Sequence, residues 1–426
     1  VKLQHQVQNL LNIEKDLLLH KNAVILLLLN HNNNMSNSSD SNSSDGSSSS
    51  EENDFEFEVF QNDYLVLYKL GSGAFSTVWL VYQISKNDFF ALKIQNDDCF
   101  QEGVLEKSCL EVVSKFPTNC LIKLIDSFIH KEDGKEYLCM VLELAIDSAY
   151  YFLKCFREDN KGYPPAVMKK LHDDVNEGLS YLHGNNLLHT DIKPENILVC
   201  GKDKRLEILK KKLDKIKFKQ MYESQIELYR KKFDMTKKTD KDKFRKGKKN
   251  ILLKIVNELA KVLNVEEIYS DLNYLNYTEE ELLQCTFKLA DLGTVHSYDQ
   301  MIAERRFPCI QTRYYRAPEV ILKLPYNHKV DFWSIVAMYY ELVEGKTMFD
   351  PHHEGNISTD QVHLYQMIDW IGNPSKEKIN MSPLKKLFDK EGKLKYAVEY
   401  VKENINPEKW HPEVLAFFTA NLSWRS

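Results

Sequence analysis

Five short β-rich runs, at 64–70, 77–82, 89–94, 121–130 and 137–143, come before the chain turns helical. A helical stretch at 104–114 separates the third run from the fourth, and longer helical patterns follow at 166–183, 330–344 and 361–371. Strands first and helices afterwards predict an antiparallel sheet carrying one helix, followed by a helical body. This is an α+β fold of two unlike lobes.

The flanks and an interruption read differently. Residues 30–54 are almost entirely Asn, Ser, Asp and Glu, and such a tract cannot bury enough apolar surface to offset its ordering entropy. Leu10, Leu11, Leu17, Leu18, Val24 and Ile25 could line a helix face, but residues 1–63 as a whole are read as a loose low-complexity extension. The longest aliphatic run, 23–29, has seven residues, whereas crossing a bilayer takes about 20, so no membrane span is expected. The first residue is Val1, which leaves a targeting signal open. Eight cysteines are scattered with no C-x-x-C pair. They read as reduced thiols of a cytoplasmic or nuclear protein, not as a disulfide framework or zinc site.

Residues 201–285 break the pattern. Within 201–250, 20 Lys and Arg stand against 8 Asp and Glu, a surplus of 12 in a chain whose net charge is −5. The rest therefore carries −17. The segment reads as a basic spacer insertion, helical at 206–219 and 251–263. It is either a solvated charged spacer or a localisation or docking element. No direct nucleic-acid partner is expected from the whole-chain charge.

Four polar motifs lie on this framework. Between the first two strand runs stands Gly71-Ser72-Gly73-Ala74-Phe75-Ser76-Thr77-Val78. Its glycines would let backbone amides approach a phosphate chain, although a hairpin turn uses glycine too. Lys93 then interrupts an apolar strand that includes Ala91. A buried lysine needs partners, and a nucleotide phosphate and a helix carboxylate would supply them. Glu106 is the expected carboxylate, because Leu110 four residues on keeps that helix face inward; Glu111 and Glu102 are the alternatives. The third motif is His189-Thr190-Asp191-Ile192-Lys193-Pro194-Glu195-Asn196, which leads into a short apolar run. The fourth is Lys288-Leu289-Ala290-Asp291-Leu292-Gly293, followed 28 residues after Asp291 by Glu319 of Thr312-Arg313-Tyr314-Tyr315-Arg316-Ala317-Pro318-Glu319, and then by Asp331-Phe332-Trp333-Ser334.

These strings resemble protein kinases: the catalytic loop, the D-F-G element with Leu for Phe, and the A-P-E end of the activation segment, in the right order. The resemblance implies the two-lobed kinase fold, with a small β-rich N-lobe at 64–145 and a larger helical C-lobe at 146–200 and 286–426, which the resemblance would have run on past the last residue. Asn196 and Asp291 are 95 positions apart where a hairpin of about a dozen residues would do. Removing 201–285 leaves 278 residues from position 64 onward, a natural size for the domain. By the same resemblance, Asp191 would take the substrate hydroxyl's proton and Lys193 would offset charge on the moving phosphoryl group. Asn196 and Asp291 would ligate Mg²⁺, and Lys93 with Glu106 would hold ATP phosphates. Leu70, Gly71, Ser72, Gly73, Ala74, Phe75, Ser76, Val78, Ala91, Leu142, Glu143 and Ala145 would bound the nucleotide, with Leu142 at the back and Glu143 and Ala145 offering backbone groups to adenine. Asp331 would tie to the catalytic-loop backbone.

The T-R-x-Y-R-A-P-E string is similar to the CMGC group. The Gly71–Val78 loop with Ser76 for the last glycine, the threonine in His189-Thr190-Asp191, and the long spacer resemble the SR-protein kinase family of mRNA splicing. A monomeric serine/threonine kinase acting on basic or Arg/Ser-rich proteins is thereby implied. A LAMMER-type or dual-specificity sibling and a non-catalytic kinase-like scaffold are the alternatives. Thr190 carries no charge to grip an activation-loop phosphate, which implies activity without phosphorylation there. Asp360 and Asp369 fall near the family's acidic docking positions, but Val362 replaces an acid and Arg305 and Arg306 replace acidic residues. Arg425 would begin a terminal arginine motif that pairs with Glu319.

Overall fold

A computed structural model describes residues 54–424 other than 74, 133, 158–161, 401, 403 and 404. The helix-face leucines at 10–18, Ala74 and Arg425 lie outside the described residues. The first lobe is a six-stranded antiparallel sheet in the order β1 (Val59–Phe60), β2 (Tyr64–Ser72), β3 (Ser76–Gln83), β4 (Asp88–Gln95), β6 (Lys135–Leu142) and β5 (Leu124–Glu132). The helix α1 (Phe100–Val113) links β4 to β5. The second lobe is built on α2 (Pro165–Gly184) and continues, after the hairpin β9–β10, into a helical body. The two-lobed architecture expected from the order of patterns is thus the observed one.

Two expectations need correction. The packed fold begins before position 64. Phe55 and Phe60 are buried and meet edge to face, their ring centroids 5.4 Å apart. They share a core with Trp79, Val81, Tyr137 and Cys139. Residues 55–58 make a turn, closed by Glu58 N donating to Phe55 O at 3.0 Å, that leads into the short strand β1; their apolar residues are hidden beside the acidic, serine-rich tract.

The basic segment is not a bare solvated spacer either. It forms α3 (Lys204–Lys215), α4 (Phe218–Arg230), α5 (Lys238–Leu263) and α6 (Val265–Ser270). Leu209, Leu213, Phe218, Tyr222, Ile255, Leu259, Leu263, Val265 and Ile268 form one core with Leu65, Leu67, Leu80, Tyr82, Ile84 and Phe89 of the sheet. The reason lies in strand periodicity. Successive side chains alternate between faces, and here both alternations are apolar. Tyr64 and Val66 of β2 and Trp79 and Val81 of β3 face one core, whereas Leu65, Leu67, Leu80 and Tyr82 face the helices. A sheet apolar on both faces needs a covering layer on each, and the segment supplies the second. On α3, Lys210, Lys211 and Lys215 keep to the opposite, wet side.

The second lobe has the expected helices at slightly shifted bounds. After the short helix α7 (Tyr298–Glu304) come α8 (Lys329–Glu344), α9 (Thr359–Ile371) and α10 (Pro412–Asn421). Among the described residues no helix is long and apolar enough to cross a membrane.

Candidate active site

Strand register sets the upper half of the site. Across β3 and β4, Val78 faces Lys93 and Leu80 faces Ala91; across β4 and β6, Ala91 faces Leu142 and Lys93 faces Met140. The turn between β2 and β3 closes with Gly73 N donating to Ser76 O at 2.9 Å. Phe75 at its tip is 62% exposed, and Leu70 lies open at its entrance.

Lys93 turns inward, and its Nζ lies 2.6 Å from Glu106 Oε1 and 3.5 Å from Asp291 Oδ1. Burial opposes a charge on Lys93, but the two carboxylates outweigh it and hold the ammonium above the usual lysine range. Of the three candidate carboxylates, then, Glu106 meets the lysine. Glu111 pairs instead with Lys107 at 2.6 Å, and Glu102 lines the cavity below. The i, i+4 spacing of Glu106 and Leu110, both buried on α1, sends Glu106 into the cleft.

The lower half grows from two short pairings. In one, β8 (Leu187–Leu188) pairs with β11 (His296–Ser297). In the other, β9 (Ile197–Cys200) pairs with β10 (Thr286–Leu289) and with β7 (Asp147–Ser148). Asp331, fully buried at the start of α8, accepts from His189 N and Thr190 N, each at 2.9 Å, and pairs with His183 Nε2 at 2.8 Å. That contact holds Thr190 at φ 67°, a left-handed backbone that a β-branched residue seldom adopts. Thr190 Oγ1 donates to Thr294 O at 2.6 Å.

Asp191 emerges from this turn among three partners. Lys193 Nζ is 2.7 Å from its Oδ2, and Thr312 donates to Oδ1 from Oγ1 at 2.6 Å and from N at 3.1 Å. Asn196 Nδ2 donates to the Asp191 backbone oxygen at 2.8 Å and to Oδ2 at 3.2 Å. Burial pushes the Asp191 carboxyl up, but the Lys193 and Thr312 hydrogen bonds prevail and leave it below the usual range. The sequence reading quoted Thr312 but gave it no role. Its only signal was its position at the head of the Thr312–Glu319 string.

His189 joins the two halves, its Nε2 lying 3.0 Å from Ala290 O, one residue before Asp291. Asp291 has φ 59° and a side chain 42% exposed, so its carboxylate stays open to a ligand. Gly293 follows, and a Cβ there would lie in van der Waals contact with Glu106 Oε2, at 3.4 Å. Asn196 donates through Nδ2, which leaves Oδ1 as an oxygen for a cation. One carboxylate and one amide oxygen beside an open cleft suit Mg²⁺, which keeps water and substrate oxygens in its shell. Below α1, a cavity of about 540 Å³ runs from Leu105 and Cys109 past Leu292 to Asp191 and Thr312.

Leu142, Glu143 and Ala145 lie half-buried at the end of β6, and the Glu143 carboxylate pairs with Lys288. The expected docking acids are partly engaged elsewhere: Asp360 pairs with Arg313 at 2.6 Å and Val362 is buried, while Asp369 is exposed. Arg305 and Arg306 are exposed. Glu319 is buried beside a cavity of about 230 Å³ lined by Lys329, Trp333 and Asn421.

A glycine turn, a lysine–glutamate pair and an aspartate–asparagine loop around one cleft define a phosphoryl-transfer fold, and comparison places it. The protein kinase domain matches residues 64–211 and 219–404, so the chain belongs to the protein kinase family and is an ATP-dependent serine/threonine kinase. Its relatives lie among CMGC-group kinases. A serine/threonine-protein kinase SRPK of Physarum polycephalum is 28% identical over 351 residues, covering 80% of this chain and 74% of its own. The dual specificity protein kinase lkh1 of Schizosaccharomyces pombe is 26% identical over 359 residues, covering 82% and 40%. The human SRSF protein kinase 3 is 37% identical over 155 residues, covering 34% and 27%.

Proposed function

We propose that the chain phosphorylates serine in basic or Arg/Ser-rich proteins of the kind implied by the SR-protein kinase resemblance, working as a monomer in the cytoplasm or nucleus. The observation that carries the catalytic part is the union, through His189 and Ala290, of Lys93, Glu106 and Asp291 with Asp191, Lys193 and Asn196. Asp191 accepts the proton of the attacking hydroxyl, and Thr312 and Lys193 fix its direction. Lys193 also offsets charge on the phosphoryl group in transit. Lys93, held by Glu106, grips phosphate oxygens, and the 71–78 turn closes over them. Asn196 and Asp291 would hold Mg²⁺, which when bound would offset the negative charge of the phosphate chain. Leu142, Glu143 and Ala145 receive adenine.

The substrate part is supported by the SRPK-type relatives and by the −17 carried outside 201–250. Dual specificity is a second reading, supported by the likeness to lkh1. Phosphate transfer from MgATP to Arg/Ser-repeat, proline-directed, acidic and tyrosine peptides tests both. The Arg/Ser peptide should be used best, and Asp191→Ala should lower its rate by ~10²–10⁴-fold. Equal or better use of the acidic peptide rejects the substrate assignment, and tyrosine transfer favours the second reading.

A further inference from the structure

The segment following β9 opens with a buried charge cluster that the catalytic motifs do not use. Asp203 caps α3 by accepting from Arg205 N at 2.8 Å. The Arg205 guanidinium grips the same carboxylate, with Nε 3.0 Å from Oδ1 and Nη2 2.8 Å from Oδ2. The two side chains are only 4% and 2% exposed. An arginine within a lysine-rich run would ordinarily stay in water, so its burial has to be explained by what it touches.

Nη2 of Arg205 also donates to Ile146 O, and the guanidinium lies over the Tyr269 ring, 4.3 Å from its centroid. Tyr269 in turn meets Tyr68 of β2 at 5.1 Å between centroids, three residues before Gly71. Ile146 immediately follows Ala145, and its own N–H donates to Val199 O of β9 at 2.8 Å. The strap that joins the lobes is therefore held at Ile146 from both sides, by the second lobe through N–H and by Arg205 through C=O. Arg205 alone among these contacts runs on, through Tyr269, to the strand that carries the glycine turn.

We infer that Arg205 is a positioning residue for the nucleotide. It fixes the interlobe strap at Ile146 and, through Tyr269 and Tyr68, sets the height of the glycine turn above the 143–145 backbone. The inference rests on the reading that ATP occupies this cleft. A guanidinium suits the task because its planar fork serves a carboxylate and a carbonyl at once, whereas an ammonium is a single point. The lysine-rich segment thus reaches the reaction through one buried contact without touching substrate.

The test is Arg205→Lys in the full chain, which keeps a charge beside Asp203 but loses the fork, together with Tyr269→Leu, which removes the stacked ring and strands no charge. MgATP affinity is measured by calorimetry, KM for ATP and for an Arg/Ser-repeat peptide by phosphate transfer, and thermal midpoint by scanning calorimetry. Arg205→Lys should weaken MgATP binding and raise its KM about tenfold, the scale of one lost hydrogen bond to a charged group. Tyr269→Leu should do the same by about threefold, the low end of what a cation–π contact contributes. Peptide KM and kcat should stay near wild type in both. Unchanged ATP affinity in Tyr269→Leu and in any folded Arg205→Lys overturns the inference, as does a loss of kcat and both affinities in proportion to a fallen midpoint. A wild-type chain that binds no MgATP overturns the nucleotide reading itself.

Discussion

At the scale of single residues, the site is a set of charges made tolerable by their neighbours. Asp191 is kept ionised by Lys193 and Thr312 against its own burial, so Thr312→Val should raise its pKa. A base must be unprotonated to act, so the acid limb of the pH–rate profile should move to higher pH, with the loss confined to the acid end and little change at pH 8. An unmoved limb would deny Thr312 this part. At Glu319 burial wins instead. Burial pushes its carboxyl up to about 7 from the usual 4.5, against Lys378 and Lys329. The fold then holds the proton more tightly than the unfolded chain does. The carboxyl's favourable contribution is complete below about pH 4.5 and is lost as pH rises through about 7. Glu319→Gln should therefore stabilise the protein at pH 8 by about 3 kcal/mol and be neutral near pH 4.5, as read by urea unfolding at the two values. The pairing of Lys93 with Glu106 was legible at this scale. A lysine in an apolar strand demands partners, and helix spacing picked Glu106 over Glu102 and Glu111. Arg205 was not legible, because an Asp-Lys-Arg string two residues deep in a basic run looks like any solvated surface.

At the scale of elements, what decides the fold is which faces stay dry. The strands were readable within a few residues, because 64–70 and 77–82 are dense in β-branched, aromatic and aliphatic residues. Their second apolar face was in plain view, yet the covering layer escaped notice, because charge counting dominates the reading of 201–250 while the few leucines that matter are spaced along one side of each helix. Leu209 is fully buried in that layer, so Leu209→Ala should cost about 2–5 kcal/mol, measured as a lower urea midpoint with catalytic constants retained in the folded fraction. No change in the midpoint would restore the solvated-spacer reading. Phe60→Ala tests the early start of the fold in the same way, with a loss of about 3–5 kcal/mol expected. The turn and short strand before position 64 are hard to see because their phenylalanines border a tract whose composition argues for no structure.

At the scale of the whole molecule, the catalytic loop and the start of the activation segment are tied by hydrogen bonds that do not depend on added phosphate. Thr190 secures the start of the activation segment at Thr294 with a neutral bond. Phosphatase treatment should therefore leave the rate on an Arg/Ser-repeat peptide within about twofold; abolished activity would show that some phosphorylated residue is needed after all. The doubly covered sheet has a practical corollary for anyone shortening the gene. Excising 204–270 as though it were a disposable loop would strip Leu65, Leu67, Leu80 and Tyr82 of their cover and bare a greasy wall. The first property such a trimmed product forfeits is its ability to remain dispersed in buffer, and light scattering would register the clumping before any assay of phosphate transfer could be run.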